Sequence, residues 1–237
     1  MLIRHARMFN LGLLLGISFL GVLYLIFQPI FPGGKTGLDF ADDLFNKLAK
    51  GSSYFIPEVA KANEKFMGTN FSVTMKVDKP EQVDNMVKIL AAGGVQATAK
   101  EAQLAISGDL GKLLGNAIQD SDDMFRNDGT KVSSRYGLKE TEVMALWWSV
   151  LNKMNKEFQK DKKLNESDMV MRVMQRAIEP AHNFFGIEAE RVSGKAFTLT
   201  GLLVFYVLYT LWWGYAIFYM FDGIGLSMKK ARVKKEV

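Results

Sequence analysis

Cysteine is missing from this 237-residue chain, and histidine occurs only twice, at His5 and His182. Without cysteine there are no disulfides, thiolate metal sites, Cys nucleophiles or covalent c-type haem attachments. A large cysteine-free domain outside the cytoplasm fits a bacterial envelope protein better than a eukaryotic secreted one. Net charge is missing from the middle: residues 31–196 hold 23 Lys/Arg and 23 Asp/Glu. The chain's surplus of +5 therefore sits at its two ends, in Arg4 and Arg7 and in Lys229, Lys230, Arg232, Lys234 and Lys235. A neutral middle offers no electrostatic footprint for DNA or RNA, which excludes nucleic acid as a partner.

Two long runs without charge are present. Ala196–Phe221 has 26 uncharged residues. As a helix it would reach roughly 39 Å, more than the ~30 Å of a hydrocarbon core. Leu11–Phe27 is a second such run, extended by Ile30 and Phe31. It lacks the small-x-small cleavage site of a signal peptide, so it reads as an uncleaved first span. The basic residues flank both runs, as the positive-inside rule expects of cytoplasmic ends. Both termini are thus expected in the cytoplasm of a bacterial inner membrane, with residues 32–195 extracytoplasmic and the lipid bilayer as an obligate partner.

Between the runs the pattern changes several times. Residues 32–69 read as a helical linker: Pro32-Gly33-Gly34 makes a hinge, and two short helices are expected over 38–50 and 56–66. Residues 70–136 read as an α/β core. Strands are expected at 71–77, 95–99, 103–107 and 131–136, with a turn at Lys100-Glu101-Ala102 and helices from Pro80 and after Gly108-Asp109. That order, β-α-β-β-α-β, is the ferredoxin-like split motif. Over 137–186, Met144, Trp147, Leu151, Met154 and Phe158, then Val170, Met174, Ala177, Ala181 and Phe184, follow seam spacing. They predict an antiparallel helical hairpin, with Asn165 or Ser167 capping its second helix and Pro180 loosening its end. The fold class is therefore an α+β membrane protein, with two transmembrane helices (11–31 and 196–221) flanking this extracytoplasmic domain. A ten-residue N-terminus, a juxtamembrane stretch at 187–195 and a basic tail at 222–237 complete it.

Candidate chemistry is thin. Glu179 and His182 form a Glu-x-x-His pair, but a di-iron bundle needs two such pairs, and Pro180 interrupts this one. Asp120, Asp122, Asp123 and Asp128 lack calcium-loop spacing, because Met124 stands where the third acid belongs; they read as a solvated helix end. Met169, Met171 and Met174 diverge around a helix and read as packing residues. Gly108–Gly115 lacks the phosphate-loop spacing and reads as a helix start. No catalytic, cofactor-binding or metal-ligating residues are assigned, and the chain is read as non-catalytic.

The spans carry the interaction signals. Gly12-xxx-Gly16 and Thr210-xxx-Gly214 let helix backbones approach closely. Thr210 and Gly214 share a smooth face of the second span with Thr200, Leu203, Val207 and Ile217. Phe205, Tyr209, Trp212 and Tyr219 fall on the other face, with Tyr206 and Trp213 at its edge. Phenol and indole groups near mid-span want hydrogen-bond partners that lipid tails cannot give. Gly12, Gly16, Tyr209, Thr210, Trp212, Trp213 and Gly214 are thus the expected partner-binding residues.

The layout, a span, an α/β ectodomain and a second span, is similar to that of polysaccharide co-polymerases. Their ectodomains are generally longer, and a Pro-rich segment usually leads into their second span, where this chain has only Pro180. That resemblance implies a homo-oligomeric scaffold. The residues themselves point first to an accessory subunit docking on integral membrane partners or on copies of itself. An extracytoplasmic sensor or small-ligand-binding protein is the remaining alternative.

Overall fold

Apolar residues at helical spacing fold most of the chain into helices, and one short region of alternation becomes sheet. A computed structural model describes residues 3–100 and 103–226. In chain order its helices and strands are α1 (Ala6–Ile26), α2 (Gly37–Ser52), α3 (Ile56–Asn63), β1 (Asn70–Lys76), α4 (Val83–Ala92), β2 (Gln96–Lys100) and β3 (Gln103–Asp109). There follow α5 (Leu110–Phe125), α6 (Gly129–Tyr136), α7 (Glu140–Lys160), α8 (Leu164–Val173), a π turn (Met174–Ile178), α9 (Glu179–Asn183) and α10 (Ala196–Gly223). They form two compact units, one made of residues up to Phe45 and from Glu190 onward, the other of Asn46–Ala189.

In the first unit, α1 and α10 are each long and apolar enough to cross a membrane. A helix that is apolar all round is stable only inside a protein or in lipid. The first helix has the 21-residue length of the expected 11–31 span but is shifted towards the N-terminus, beginning at Ala6. It ends at Ile26, and Phe31 pairs with Lys35 across the Pro32-Gly33-Gly34 turn. Thr36 then opens α2 with a capping box: its hydroxyl accepts from the Asp39 amide at 3.2 Å, while the Asp39 carboxylate accepts from the Thr36 amide and hydroxyl. These hydrogen bonds from Thr36 hold the Asp39 carboxyl below its ordinary range.

The second unit is built on a three-stranded antiparallel sheet of order β1-β3-β2. Phe71, Val73 and Met75 on β1 and Leu104 and Ile106 on β3 point into the core, as period-two alternation requires. The expected turn at 100–102 falls partly outside the described residues, as does the basic run from Lys229 to Lys235. The ferredoxin-like expectation stops at its last member. Residues 131–136 are helical, within α6, so the sheet ends at three strands. Helical spacing explains the change: Val132 and Tyr136, four residues apart, both turn inward from α6.

α5 and α7 fill the space under the sheet. Leu113, Leu114, Ala117 and Met124 on α5, with Met144, Trp147, Leu151, Met154 and Phe158 on α7, are sealed from solvent. Phe71 meets Phe158 edge-on at 6.2 Å. Side chains of this size contribute ~1.5–3 kcal/mol each on burial. The seam expected of α7 is present and broader than expected, since Val143, Leu146 and Val150 are buried too. α8 packs back against α7 after a three-residue connection, with Val170, Met174, Ala177 and Ala181 turned inward. Neither Asn165 nor Ser167 caps it. The helix begins at Leu164, and Ser167 instead donates to Asn155 Oδ1 at 2.6 Å. Pro180 has no N–H and its ring crowds the carbonyl four residues back, at Arg176. The π turn over Met174–Ile178 absorbs that conflict directly upstream.

Two polar knots tie this unit together. Asp120 is fully buried, which corrects its reading as part of a solvated helix end. It accepts from Tyr136 Oη at 2.6 Å, from Trp147 Nε1 at 2.7 Å and from the Arg135 guanidinium. Burial pushes the Tyr136 phenol up, against the Arg135 charge and the Trp147 hydrogen bond. The second knot is Lys50, 3% exposed, which donates to Asn127 Oδ1 at 2.8 Å, Ile187 O at 2.7 Å and Phe184 O at 3.1 Å.

Asp120→Ala should lower stability by about 3–5 kcal/mol, because it leaves three donors facing an empty, dry site; denaturant unfolding followed by Trp fluorescence measures it. For Lys50, burial pushes the ammonium down, opposed by the nearby Glu188 charge. Its folded pKa then lies below the unfolded value near 10.5. Between the two values the native state binds fewer protons than the unfolded state. This residue's contribution therefore rises with pH through that interval. Lys50→Met should remove the alkaline rise in a pH series of melting curves. It should also cost about 1–3 kcal/mol at neutral pH through its orphaned acceptors.

Candidate functional site

The residues expected to bind partners all lie on α1 and α10, which pack against each other in antiparallel fashion. Small residues set the approach. A Cβ placed on Gly12 would lie 2.6 Å from the Met220 amide nitrogen and 2.8 Å from Ala216 O. One on Gly223 would lie 2.5 Å from the Phe9 Cβ. These are backbone-limited contacts, tighter than any residue with a Cβ allows. Gly16 is less constrained, with the Met220 Cε 4.0 Å away. At the N-terminus of α1, the Arg4 and His5 amides both donate to Gly223 O at 2.9 Å, satisfying donors that a helix start leaves free.

Aromatic rings close the other end of the seam. Phe19 stacks on Tyr209 with ring centroids 4.1 Å apart and lies 4.7 Å from Trp213. Phe205 extends the stack to Tyr209 at 5.3 Å. Offset ring pairs of this kind contribute ~0.5–1.5 kcal/mol beyond their area. The α10 stripe facing α1 is therefore Tyr209, Trp213, Ala216, Met220 and Gly223, at a 4-3-4-3 spacing. Tyr209 and Trp213 do find protein contact, and it is with α1 of the same chain.

Thr210 and Gly214 stand apart from that stripe. Thr210 returns its hydroxyl to Tyr206 O at 2.7 Å, and a Cβ on Gly214 would meet nothing within 4 Å. The smooth face of α10 is thus open, although its small residues invite a close neighbour. Trp212 lies beyond the α1-facing stripe, on the side away from Thr210 and Gly214. It lines a groove with Leu15, Tyr215 and Tyr219, and its Nε1–H is shut from solvent with no acceptor among the described residues. Leu203, Val204, Val207, Leu208 and Leu211 leave the rest of this helix apolar and exposed.

The other candidates have structural roles. Asp122 pairs with Arg126 at 3.0 Å, and Asp128 with Lys131 at 2.5 Å. Asp123 meets Arg135 at 3.1 Å, and burial pushes its carboxyl up. Glu179 accepts from Trp148 Nε1 at 3.2 Å, and His182 stands exposed at the rim of the same 260 Å³ crevice. Met169 and Met174 are buried in the hairpin. Asp109 caps α5, accepting from the Lys112 and Gly68 amides at 3.0 and 2.9 Å, which makes Gly108–Gly115 a helix start.

What the residue pattern did not disclose is which face of α10 meets α1. Gly223 was the missed signal, lying seven residues beyond Ala216 and just past the uncharged run, after Asp222. Compared with known proteins, the chain matches no family model, no curated protein and no solved structure.

Gly12→Leu should force α1 off α10. The native chain has no cysteine, so a Phe19→Cys/Trp213→Cys pair reports their separation by oxidative crosslinking. We expect at least about a tenfold loss of crosslinking rate with Gly12→Leu, given backbone contacts that overpacking cannot relieve. Gly214→Leu should leave the rate unchanged.

Proposed function

We propose that the chain is a non-catalytic, two-span accessory or scaffold subunit of a larger membrane protein complex. Its partners would be integral membrane subunits or further copies of itself. The observation that carries this reading is the open Thr210–Gly214 face of α10, which has a glycine with nothing against it. Lipid tails are as apolar as leucine, so association within a bilayer relies on close packing and on interhelical hydrogen bonds. Gly214 offers the packing. Thr210, exposed on the same face, adds a second small residue to that approach.

In this reading α1 and α10 span the bacterial inner membrane as an antiparallel pair, with both termini cytoplasmic. Residues 32–195 are extracytoplasmic and dock on the partners' outer face. Arg4 before α1 and Arg7 in its first turn support that orientation. The internal seam keeps α1 and α10 together, so the unit presents one composite surface instead of two independent anchors.

Native mass measurement of the full chain, extracted in mild detergent from its own membrane, should give a species larger than one chain. Gly214→Leu should reduce it to the monomer while the Phe19–Trp213 crosslink persists. A monomer from the unaltered protein would end this reading.

A further inference from the structure

A cleft lies between α3 and α5, wholly within the second unit. Ile56, Pro57 and Ala60 line one side, Gly115 and Ile118 the other, and the space is about 530 Å³. Small-molecule sites have this size and a mostly apolar wall with a few convergent polar groups. Two such polar features are present. Deep in the wall, Asn63 is 5% exposed and donates through Nδ2 to Gly111 O at 2.7 Å, while its Oδ1 has no partner among the described residues. At the mouth, Tyr54 donates to Asp122 Oδ1 at 2.6 Å and accepts from Arg126 at 2.6 Å, and Arg126 Nε also pairs with Asp122. The guanidinium and both Asp122 oxygens are thus already committed to this cluster, and Glu64 adds a second carboxylate to the lining.

The glycines of α5 separate packing from vacancy. Gly111 is required, because a Cβ there would lie 2.5 Å from the Met67 amide nitrogen. Gly115 is not. A Cβ there would meet only Asn63 Nδ2, at an ordinary 3.7 Å. A mid-helix glycine destabilises a helix relative to alanine, and what this one preserves is room in the cleft.

We propose that this cleft binds a small primary amine with an apolar body. The body lies between α3 and α5, and the nitrogen donates to Asn63 Oδ1 and to the neighbouring Glu64 carboxylate. An ammonium group has three donors and no acceptor, which matches lining groups that are acceptors. This site is independent of the membrane face of α10, and either reading can fail alone.

The test uses the full chain in detergent, with phenethylamine as the probe. 3-Phenylpropionate is the matched control, having the same ring and a carboxylate head. Phenethylamine should bind saturably by calorimetry and raise the melting temperature by about 3–6 °C at tenfold excess over its Kd. The acid should bind at least about tenfold more weakly. Gly115→Leu fills the cleft, and Ala60→Phe blocks its exposed rim; either should abolish the shift in a protein with an unaltered circular dichroism spectrum. Absence of saturable binding, equal binding of the acid, or binding that survives both substitutions would each overturn the proposal.

Discussion

A carboxylate sealed from water at position 120 organises the second unit. An ionised side chain in a dry interior is costly unless each lone-pair direction is met. Asp120 on α5 meets that demand with a phenol and a guanidinium from α6 and an indole from α7. Three helices are thereby fixed in rotation as well as in position, because each donor must arrive at its own angle. Apolar packing alone tolerates sliding by one turn more readily than such a cluster does. The Lys50 knot repeats the logic with the sign reversed. One buried ammonium gathers two carbonyls beyond α9 and the side chain of Asn127. Asn127, held at φ 63, also accepts from the Gly186 amide.

Much of this was legible from residue order, and the exceptions have physical causes. The hairpin seam, the strands at 70–76 and 103–109 and the helix after Asp109 announce themselves through periodicity, which local burial enforces. The segment 131–136 does not, because a few alternating residues fit a strand and an exposed helix equally well. Its fate rests on Tyr136 reaching Asp120, a tertiary contact. Asp120 itself could have been found: it follows Leu113 and Ala117 and precedes Met124 at helical spacing, a carboxylate on an apolar stripe. The α3–α5 cleft was hidden, since Gly115 looks like any helical glycine until the space beside it is known. Sequence marked Thr210–Gly214 as a contact face, but could not say that α1 would choose the opposite one.

The first unit follows a different economy of contact. Its seam depends at one end on glycine at Gly12 and Gly223, where van der Waals contact between backbones takes the place of large side chains. Most of the girth of α1 and α10 stays uncovered. The two units therefore differ in what they show to solvent: the second buries its large apolar side chains, whereas the first leaves most of those on α1 and α10 exposed.

The three-stranded sheet has a consequence of its own. The side turned away from the core carries Ser72, Thr74, Gln96, Thr98 and Ala105, all exposed. No large apolar side chain stands among them, so a body settling there would release little ordered water and gain little from doing so. Whatever touches that plane must be held by hydroxyl and amide groups that already have water as a competitor. Contacts on it would be shallow and quickly exchanged. The outer face of the sheet can thus brush past other molecules without sticking.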